Sequence, residues 1–415
     1  MAVALPARSH AEVLVVGGGP AGAATATFLA QQGVAVELLD KARFPREKPC
    51  AEYLSPEASR LLDAMGVLHE VEAAGAAQLR GMLVRAPNGA VIHGEFAAAH
   101  GFRGFRDRGL ALRRPVLDTL LLDAARRHGV AVHDTPAMAV RDLLRDANGH
   151  VVGVRTADGE RRARLVIGAD GLRSVVARRA GLARRARWPR RVALVAHYRD
   201  VAGLRDLGEM HVAHDGYVGI APVGHGLVNV AVVVPTRAGH AIAGDPTAFF
   251  EAWLARQPQL VDRFAPATRV TAVQTTGPFA VACRRGWAPG VALVGDAAEF
   301  FDPFTGEGIF AALRGAELLA PIVHDVLRAP SAARGLALLG AYDAARRRAF
   351  AGKWRVERAI GLAVGVPALL SGAARVLARR RAVADLLVGV AGDFVPPRAV
   401  FSPRVLRELL LPSRS

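Results

Sequence analysis

Three glycines near the start of the chain have the spacing that lets a backbone turn hold a phosphate group. Gly17, Gly19 and Gly22 follow the apolar run at 13–16 and precede a helical pattern at 23–32. In such a turn the first glycine allows the tight bend and the second lets the backbone approach a pyrophosphate. The third lets the helix lie close to the strand. The spacing therefore predicts a nucleotide-binding turn between a buried strand and a helix.

An acidic residue further along supports this interpretation. Asp40 ends the apolar run 34–39, and it lies roughly 20 residues past the glycines, where dinucleotide-binding folds place the group that holds a ribose hydroxyl. Its neighbour Lys41, and Pro20 and Ala21 at the positive end of the helix dipole, complete the predicted nucleotide site. These residues alone leave NAD and FAD open as the ligand.

Two more strand-to-turn segments carry an acid beside a glycine. Asp170 and Gly171 follow the apolar run 165–168, and Gly295 and Asp296 follow the run 291–294. The three segments, in this order, resemble the FAD-binding domain of the flavoprotein group that contains aromatic hydroxylases, flavin halogenases and geranylgeranyl reductases. The resemblance covers roughly residues 11–350 and implies FAD as the cofactor.

The resemblance also implies roles for individual residues. It places Asp296 on the ribityl chain or the pyrophosphate, the Asp170-Gly171 turn near the pyrophosphate, and Arg113 near the cofactor. A helix that begins around Gly306, Gly308 and Ile309 offers backbone N–H groups that can stabilise negative charge on the pyrimidine ring of a reduced flavin.

Within that group, three segments look like the geranylgeranyl-reductase branch: 44–56, which contains Cys50, 217–222 and 303–309. The likeness implies that Cys50 lies beside the flavin as the candidate catalytic residue, and that Tyr217 and Pro222 line the substrate cavity. The chain departs from this branch at two positions, with Ala51 where glycine is usual and Gly219 where an aromatic residue is common. It departs from the hydroxylases at three others: Glu299 stands in place of histidine, Glu307 in place of glutamine and Phe310 in place of asparagine.

Three functions remain open at this stage. The first is flavin-mediated reduction of a double bond in an apolar isoprenoid, quinone-like or polyketide substrate. The second is an NAD(P)H-dependent flavin monooxygenase that hydroxylates or epoxidises an aromatic or polyketide substrate, and the third is a non-catalytic lipid-binding or membrane-binding scaffold. No second nicotinamide-binding glycine motif is seen, so NAD(P)H is expected, if at all, as a transient reductant.

Composition restricts the partners and the location. The formal net charge of +17 comes almost wholly from arginine, and the arginines form no stripe interleaved with aromatic residues, which argues against nucleic acid as a partner. Two cysteines make no disulfide framework, and no metal-binding spacing occurs. The first apolar run is the nucleotide-binding strand rather than a signal peptide, and the longest uncharged stretch, 359–374, is too short to span a membrane. We expect a cytoplasmic protein, with peripheral membrane contact through the C-terminal region and the oligomeric state left open.

The predicted strands and helices that must position these residues indicate an α/β fold. We expect a Rossmann-like FAD-binding domain with an inserted antiparallel-sheet substrate domain and a helical C-terminus. Strands are predicted near 130–133, 138–144, 151–156, 192–198, 209–213, 217–222 and 227–234. The predicted boundaries are 11–80, 111–187 and 284–350 for the FAD-binding domain, 81–110 and 188–283 for the substrate domain, and 351–415 for the C-terminal region.

Overall fold

The structure is a computed structural model, and it describes residues 11–97, 101–185 and 190–403, together with 405 and 407. The predictions for the N-terminal residues 1–10 and for the end of the C-terminal region, 408–415, lie outside the described residues. The strands, in chain order, are β1 (Val13–Val16), β2 (Val36–Asp40), β3 (Tyr53–Leu54), β4 (Ala77–Leu79), β5 (Gly81–Arg85), β6 (Val91–Glu95), β7 (Gly109–Ala111), β8 (Ala131–Asp134), β9 (Asp142–Arg145), β10 (Val151–Arg155), β11 (Glu160–Arg162), β12 (Leu165–Gly168), β13 (Ala183–Arg185), β14 (Arg191–Arg199), β15 (Leu207–Val212), β16 (Tyr217–Pro222), β17 (Val228–Pro235), β18 (Thr268–Arg269), β19 (Gln274–Thr276), β20 (Val281–Cys283), β21 (Trp287–Ala288), β22 (Val291–Leu293) and β23 (Glu299–Phe300). The helices are α1 (Pro20–Gln31), α2 (Pro56–Ala64), α3 (Leu68–Ala73), α4 (Arg114–Arg127), α5 (Val175–Arg179), α6 (Gly239–Gly244), α7 (Pro246–Ala255), α8 (Pro258–Phe264), α9 (Gly308–Leu327), α10 (Ala332–Gly365), α11 (Pro367–Leu377) and α12 (Arg381–Ala391).

A six-stranded sheet forms the nucleotide-binding half, in the order β21-β22-β12-β1-β2-β8. Its strands are parallel except for β21 at the edge. Because β1, β12 and β22 are neighbours, their carboxyl ends lie side by side. The three predicted turns therefore meet at one edge of the sheet, which is where open α/β sheets bind ligands.

Different layers cover the two faces of this sheet. Apolar side chains of α1, α2, α4, α9 and α10 form one core with one face of β1 and β12. The meander β9–β11 and helix α5 form a second core on the other face. The sheet is therefore buried on both sides, which agrees with its nearly unbroken apolar strands.

A larger, eight-stranded sheet forms the second half, in the order β18-β14-β17-β16-β15-β5-β6, with β19 paired to β14. Its pairs are antiparallel except β5 with β15, which is parallel, so the sheet is mixed rather than purely antiparallel. Helices α6–α8 pack on its outer face through Phe250, Trp253 and Leu260. Its inner face turns towards the nucleotide-binding half.

The C-terminal helices complete the molecule. Helix α12 lies against β6, where Gly94 leaves room for the backbone of Ala384. Side chains of α10 and α11 join the inner face of the large sheet. Among the described residues no single helix is long and apolar enough to cross a membrane, although α10 and α11, bent by 111° at their junction, reach that length and composition as a pair.

One local prediction was wrong. The stretch 138–144 was expected to be a strand, but a 3-10 turn at Pro136–Met138 comes first and the strand begins only at Asp142. The proline starts this turn because its φ angle is already close to a helical value. The strand-rich region 188–283 also contains helices α6–α8, of which α7 begins where Asp245 and Pro246 provide an N-cap and a first helical residue.

Candidate functional site

A cavity of about 720 Å³ runs between the two halves of the molecule. It begins at the carboxyl edge of the parallel sheet and ends against the inner face of the large sheet. Most of the predicted site residues line it, namely Gly17, Gly19, Pro20, Ala21, Asp40, Lys41, Cys50, Asp170, Gly171, Tyr217, Asp296, Gly306, Gly308 and Ile309. The fold therefore brings together segments that are far apart in the chain.

The glycine turn has the geometry that its spacing predicts. Gly17 has a φ of +108°, and a Cβ there would lie 2.4 Å from the carbonyl oxygen of Ala169. A Cβ on Gly22 would lie 1.7 Å from the carbonyl oxygen of Gly17, so Gly22 holds α1 against the turn without lining the cavity. Gly19 instead faces the cavity, where a Cβ would lie 3.6 and 3.7 Å from the guanidinium groups of Arg46 and Arg114. A pyrophosphate at Gly19 would thus meet backbone and positive charge.

Asp40 lies at the end of β2 on the rim of this turn. Its Oδ2 accepts a hydrogen bond from the backbone N–H of Gly18 at 2.6 Å, and its Oδ1 accepts one from Ala42 at 2.8 Å. The carboxylate is therefore fixed in orientation at the place where a ribose hydroxyl would be held.

The glycine turn is surrounded by cations that were not predicted from the sequence. Arg46, Lys48 and Arg114 line the cavity, and Arg114 donates two hydrogen bonds to Asp118, at 2.7 and 2.8 Å. Arg113, which was predicted to lie near the cofactor, is not among the described residues that line the cavity, but its side chain pairs with Glu47, which does line it.

The turn after β22 brings Asp296 to the middle of the cavity. Gly295 has a φ of +63°, and a Cβ there would meet Ala21 of α1 at 2.7 Å, so it supports the turn without lining the cavity. Burial raises the pKa of Asp296 to about 6, although the positive charges of Lys48 and Arg114 act in the opposite direction. A buried carboxylate beside two cations is suited to accept hydrogen bonds from ligand hydroxyls.

Asp170 has a structural task as well as a place at the cavity. Its carboxylate accepts hydrogen bonds from Ser174 Oγ at 2.5 Å and from the N–H groups of Val175 and Val176 at 2.6 and 3.2 Å. It thereby holds the start of α5 and shapes the Asp170-Gly171 turn that follows β12.

Helix α9 directs its N-terminus into the far part of the cavity. Gly306 precedes it with a φ of +73°, and a Cβ there would lie 3.0 Å from the ring of Tyr53. The side chain of the N-cap residue, Glu307, makes no capping hydrogen bond, so the first N–H groups of the helix, near Gly308 and Ile309, can serve a ligand. Helix α1 is likewise uncapped by any side chain. Two open helix N-termini therefore face one cavity, as an anionic nucleotide and a flavin ring would require.

Behind α9 lies a buried ionic group that was not predicted from the sequence. Lys353 of α10 contacts Glu307 at 2.7 Å and also pairs with Asp393. All three side chains are less than a tenth exposed. The group connects the start of α9 to the C-terminal region. The only sign of it in the sequence is that a lysine occurs at 353 in a chain whose basic residues are almost all arginine.

Cys50 lies at the junction between the two halves of the cavity. The amide of Asn229 donates hydrogen bonds to the carbonyl oxygen of Cys50 at 2.8 Å and to Glu52 Oε2 at 3.0 Å. Glu52, which has a φ of +60°, also lies 2.7 Å from the Nε2 atom of His197. Burial raises the pKa of the Cys50 thiol. The site therefore presents a neutral thiol on a turn that is held by a buried glutamate–histidine pair.

The remainder of the cavity is mainly apolar, although Glu209, Thr275 and Thr276 also line it. Its wall is the inner face of the large sheet together with three phenylalanines, and comprises Ala193, Val195, Met210, Gly219, Ala231, Val233, Phe279, Phe300 and Phe304. Tyr217 lies on the same face, but its hydroxyl donates to Asp302 at 2.8 Å, and Asp302 in turn pairs with Arg191 at 2.6 Å. Pro222, at the end of β16, is not among the described residues that line the cavity, since its neighbour Ala221 faces inward instead. Within the described residues no group of three His, Cys, Asp or Glu side chains is placed to hold a metal ion.

The residues present fit FAD. The glycine turn, Asp40 and the cations suit the adenosine and pyrophosphate, Asp296 suits the ribityl hydroxyls, and the start of α9 suits the pyrimidine ring of the flavin.

Comparison with known proteins agrees with this fit. The family described as FAD binding domain matches residues 10–357. Digeranylgeranylglycerophospholipid reductase 2 of Methanopyrus kandleri is 32% identical over 73% of this chain and 74% of its own length. The menaquinone reductase of Mycobacterium tuberculosis is 29% identical over 76% of this chain and 77% of its own length. The solved structure of the myxobacterial chondrochloren halogenase, a variant of FAD-dependent halogenases, has a TM-score of 0.76 and 27% identity, and the match covers 85% of this chain and 82% of that one.

Coverage is lower for one further relative. The chain spans 62% of the length of the conditioned medium factor receptor 1 of Dictyostelium discoideum, with 27% identity over 74% of this chain.

Proposed function

We propose a reaction on the premise that this chain belongs to the FAD-binding domain family and is an FAD-dependent oxidoreductase. The proposed reaction is the reduction of a carbon–carbon double bond in an apolar isoprenoid or quinone-like substrate. A hydride adds to one carbon of the double bond and a proton to the other, so each double bond gains two hydrogens and the reduced cofactor returns to its oxidised form.

The observation that carries this proposal is the chemistry of the substrate half of the cavity. Its wall is made of small aliphatic side chains and phenylalanines. Three of its polar side chains are already engaged: Tyr217 is bonded to Asp302, and Asn229 to the Cys50 turn. Glu209 is paired with Arg263, and the other polar side chains there are the small ones of Thr275 and Thr276. A substrate there is held by shape and apolar contact rather than by a charged group, which suits a hydrocarbon chain better than a small polar aromatic acid.

Each part of the site has a task in this reaction. Bound FAD would supply the hydride. The apolar wall excludes water from the reacting carbon, and Asn229 of the large sheet holds the turn that carries Cys50 at the cavity. Two relatives named as reductases of a geranylgeranyl lipid and of menaquinone support the same substrate class. We further propose NAD(P)H as a reductant that binds transiently.

The test is anaerobic reduction followed by oxidation with substrate. The purified FAD-loaded protein is reduced with NADH, with NADPH or with dithionite, and is then mixed with a geranylgeranyl lipid or with menaquinone under argon. We expect the oxidised flavin spectrum to return and the product to gain two hydrogens for each reduced double bond, as seen by mass spectrometry. A failure with both nicotinamides but success with dithionite would reject only the proposed reductant.

A cavity-filling variant tests where the substrate lies. Gly219→Phe places an aromatic ring in the apolar half, where the nearest neighbour is the flexible side chain of Met210. We expect at least a tenfold fall in kcat/KM with unchanged FAD content. Ala64→Phe, at an exposed position on α2, is the control and should behave like the unaltered protein.

The monooxygenase alternative gives a different result. The structural likeness to a flavin-dependent halogenase makes oxygen chemistry the relevant competitor. Reoxidation that requires O2, with a product that gains an oxygen atom and with no reaction under argon, would reject the proposed reduction.

A further inference from the structure

Exposed apolar side chains are concentrated at the junction of α10 and α11. Leu362, Val366, Leu369 and Val376 are between 42 and 50% exposed, and they lie within fifteen residues of one another. The helices meet there at a sharp bend of 111°. We call residues 358–381 the elbow. An exposed cluster of large aliphatic residues is costly in water unless something covers it.

The inner side of the elbow is part of the body of the protein. Val364, Leu370 and Ala374 pack in the same apolar cluster as Tyr217 and Phe304 of the substrate cavity. Arg191 donates a hydrogen bond to the carbonyl oxygen of Gly361, and Asn88 donates one to that of Ser371. The elbow is therefore held firmly between the substrate cavity and solvent, and its outer residues are presented on a fixed support.

The charge of the elbow indicates what covers it. Residues 358–384 contain five arginines and no aspartate or glutamate. Arg358, Arg375 and Arg379 are exposed at the two ends of the apolar stretch. Apolar side chains flanked by arginines match the interface of an anionic bilayer, where aliphatic groups enter the acyl region and guanidinium groups contact lipid phosphates.

We propose that the elbow docks this protein on the surface of a bilayer that contains anionic lipids. Leu362, Val366 and Leu369 enter the interface, and the flanking arginines bind headgroup phosphates. The surface lies one layer of side chains away from the apolar half of the cavity. Docking therefore places that cavity next to a reservoir of apolar molecules, whichever reaction the site performs.

Vesicle flotation with the oxidised FAD-loaded protein tests the proposal. Vesicles of phosphatidylcholine alone are compared with vesicles of equal parts phosphatidylcholine and phosphatidylglycerol. We expect binding to the mixed vesicles and little to the neutral ones, and weaker binding as salt screens the arginines. Absence of binding to the mixed vesicles overturns the proposal.

Matched variants identify the surface. Leu362→Asn with Leu369→Asn should weaken binding by at least tenfold, and Arg375→Gln by about fivefold. The control is Val261→Asn with Val270→Asn, which alters two similarly exposed aliphatic residues outside the elbow and should bind like the unaltered protein. FAD content and Tm of each variant show that it is folded.

Two outcomes would contradict the assignment. Equal loss in the control would mean that general surface hydrophobicity drives binding, rather than the elbow. Self-association that depends on Leu362 and Leu369 and occurs without vesicle binding would assign the elbow to a second copy of the chain. No reductant or substrate is present in these experiments, so their failure is distinguishable from failure of the proposed reaction.

Discussion

The ionised carboxylate of Asp296 is expected to lower the stability of the FAD-free protein and to strengthen the binding of FAD. Burial raises its pKa from 3.8 to about 6, so the folded FAD-free protein holds this proton more tightly than the unfolded chain does. The ionised carboxylate then costs stability progressively as the pH rises from about 4 to about 6, and the full cost remains above that range. We expect Asp296→Asn to stabilise the FAD-free protein at neutral pH by up to ~3 kcal/mol, while weakening its affinity for FAD.

Denaturant unfolding of the FAD-free protein below pH 4 and at neutral pH, with an FAD titration, measures both effects. The gain in unfolding free energy should vanish at the lower pH. Asp107→Asn, at an exposed carboxylate, is the control and should show neither effect. A loss of stability at neutral pH, or an equal gain at both pH values, would show that Asp296 is not held at a cost in the folded protein.

Cys50 gives a second prediction at the scale of one residue. Because burial raises the pKa of its thiol, the reactive thiolate is scarce at neutral pH. We expect iodoacetamide to alkylate Cys50 more slowly than glutathione, with a rate that rises steeply under alkaline conditions. Peptide mass spectrometry of the FAD-loaded protein measures this, and alkylation at the rate of glutathione at neutral pH would contradict a buried neutral thiol.

The residues at one end of the cavity could be predicted from the sequence, whereas the contacts at the other end could not. Gly17 and Gly19 could be predicted to bind phosphate because the local backbone alone determines the shape of their turn. The partners of Cys50 could not, because Glu52 and His197 are 145 positions apart and only the packing of two sheets brings them together. Arg113 was chosen over its neighbour Arg114 because adjacent arginines are indistinguishable until the start of α4 fixes which one faces inward.

At the scale of elements, the parallel strands were predictable and the helices on the large sheet were not. Strands β1, β12 and β22 are short apolar runs that end at glycine, which is a pattern with few other interpretations. Helices α6–α8 are short, and their alanine-rich and polar residues show no strong period. What makes them helical is a tertiary contact, since Trp253 and Phe250 fill the outer face of the sheet.

The contact between α9 and the C-terminal region is the most testable link between elements. Lys353→Met leaves Glu307 and Asp393 buried without their cation. We expect a loss of ~3–5 kcal/mol in unfolding free energy and weaker FAD binding, because the uncompensated charges disturb the start of α9. Denaturant unfolding and FAD titration measure these effects.

A compensated variant is the control for that prediction. Changing Lys353→Met together with Glu307→Gln and Asp393→Asn removes all three charges, and it should recover most of the stability. If Lys353→Met alone is as stable as the unaltered protein, the buried ionic group does not connect the two elements.

At the scale of the whole molecule, FAD is the component that joins the halves. The residues suited to adenosine, pyrophosphate and the ribityl chain lie on the parallel sheet, whereas those suited to the flavin ring lie around Cys50, the start of α9 and the large sheet. ADP reproduces only the first part. Both ligands should slow hydrogen exchange at the glycine turn. Only FAD should also slow hydrogen exchange at the start of α9. Through Lys353 and Asp393, FAD should slow exchange in the region after α12 as well, although that region does not line the cavity.

Hydrogen exchange measured by mass spectrometry with no ligand, with ADP and with FAD distinguishes these patterns. The meander β9–β11, which lies on the far side of the parallel sheet, is the internal reference and should change little with either ligand. If ADP protects the region after α12 as strongly as FAD does, the coupling runs through the parallel sheet. The start of α9 would then not be the point at which the cofactor organises the rest of the molecule.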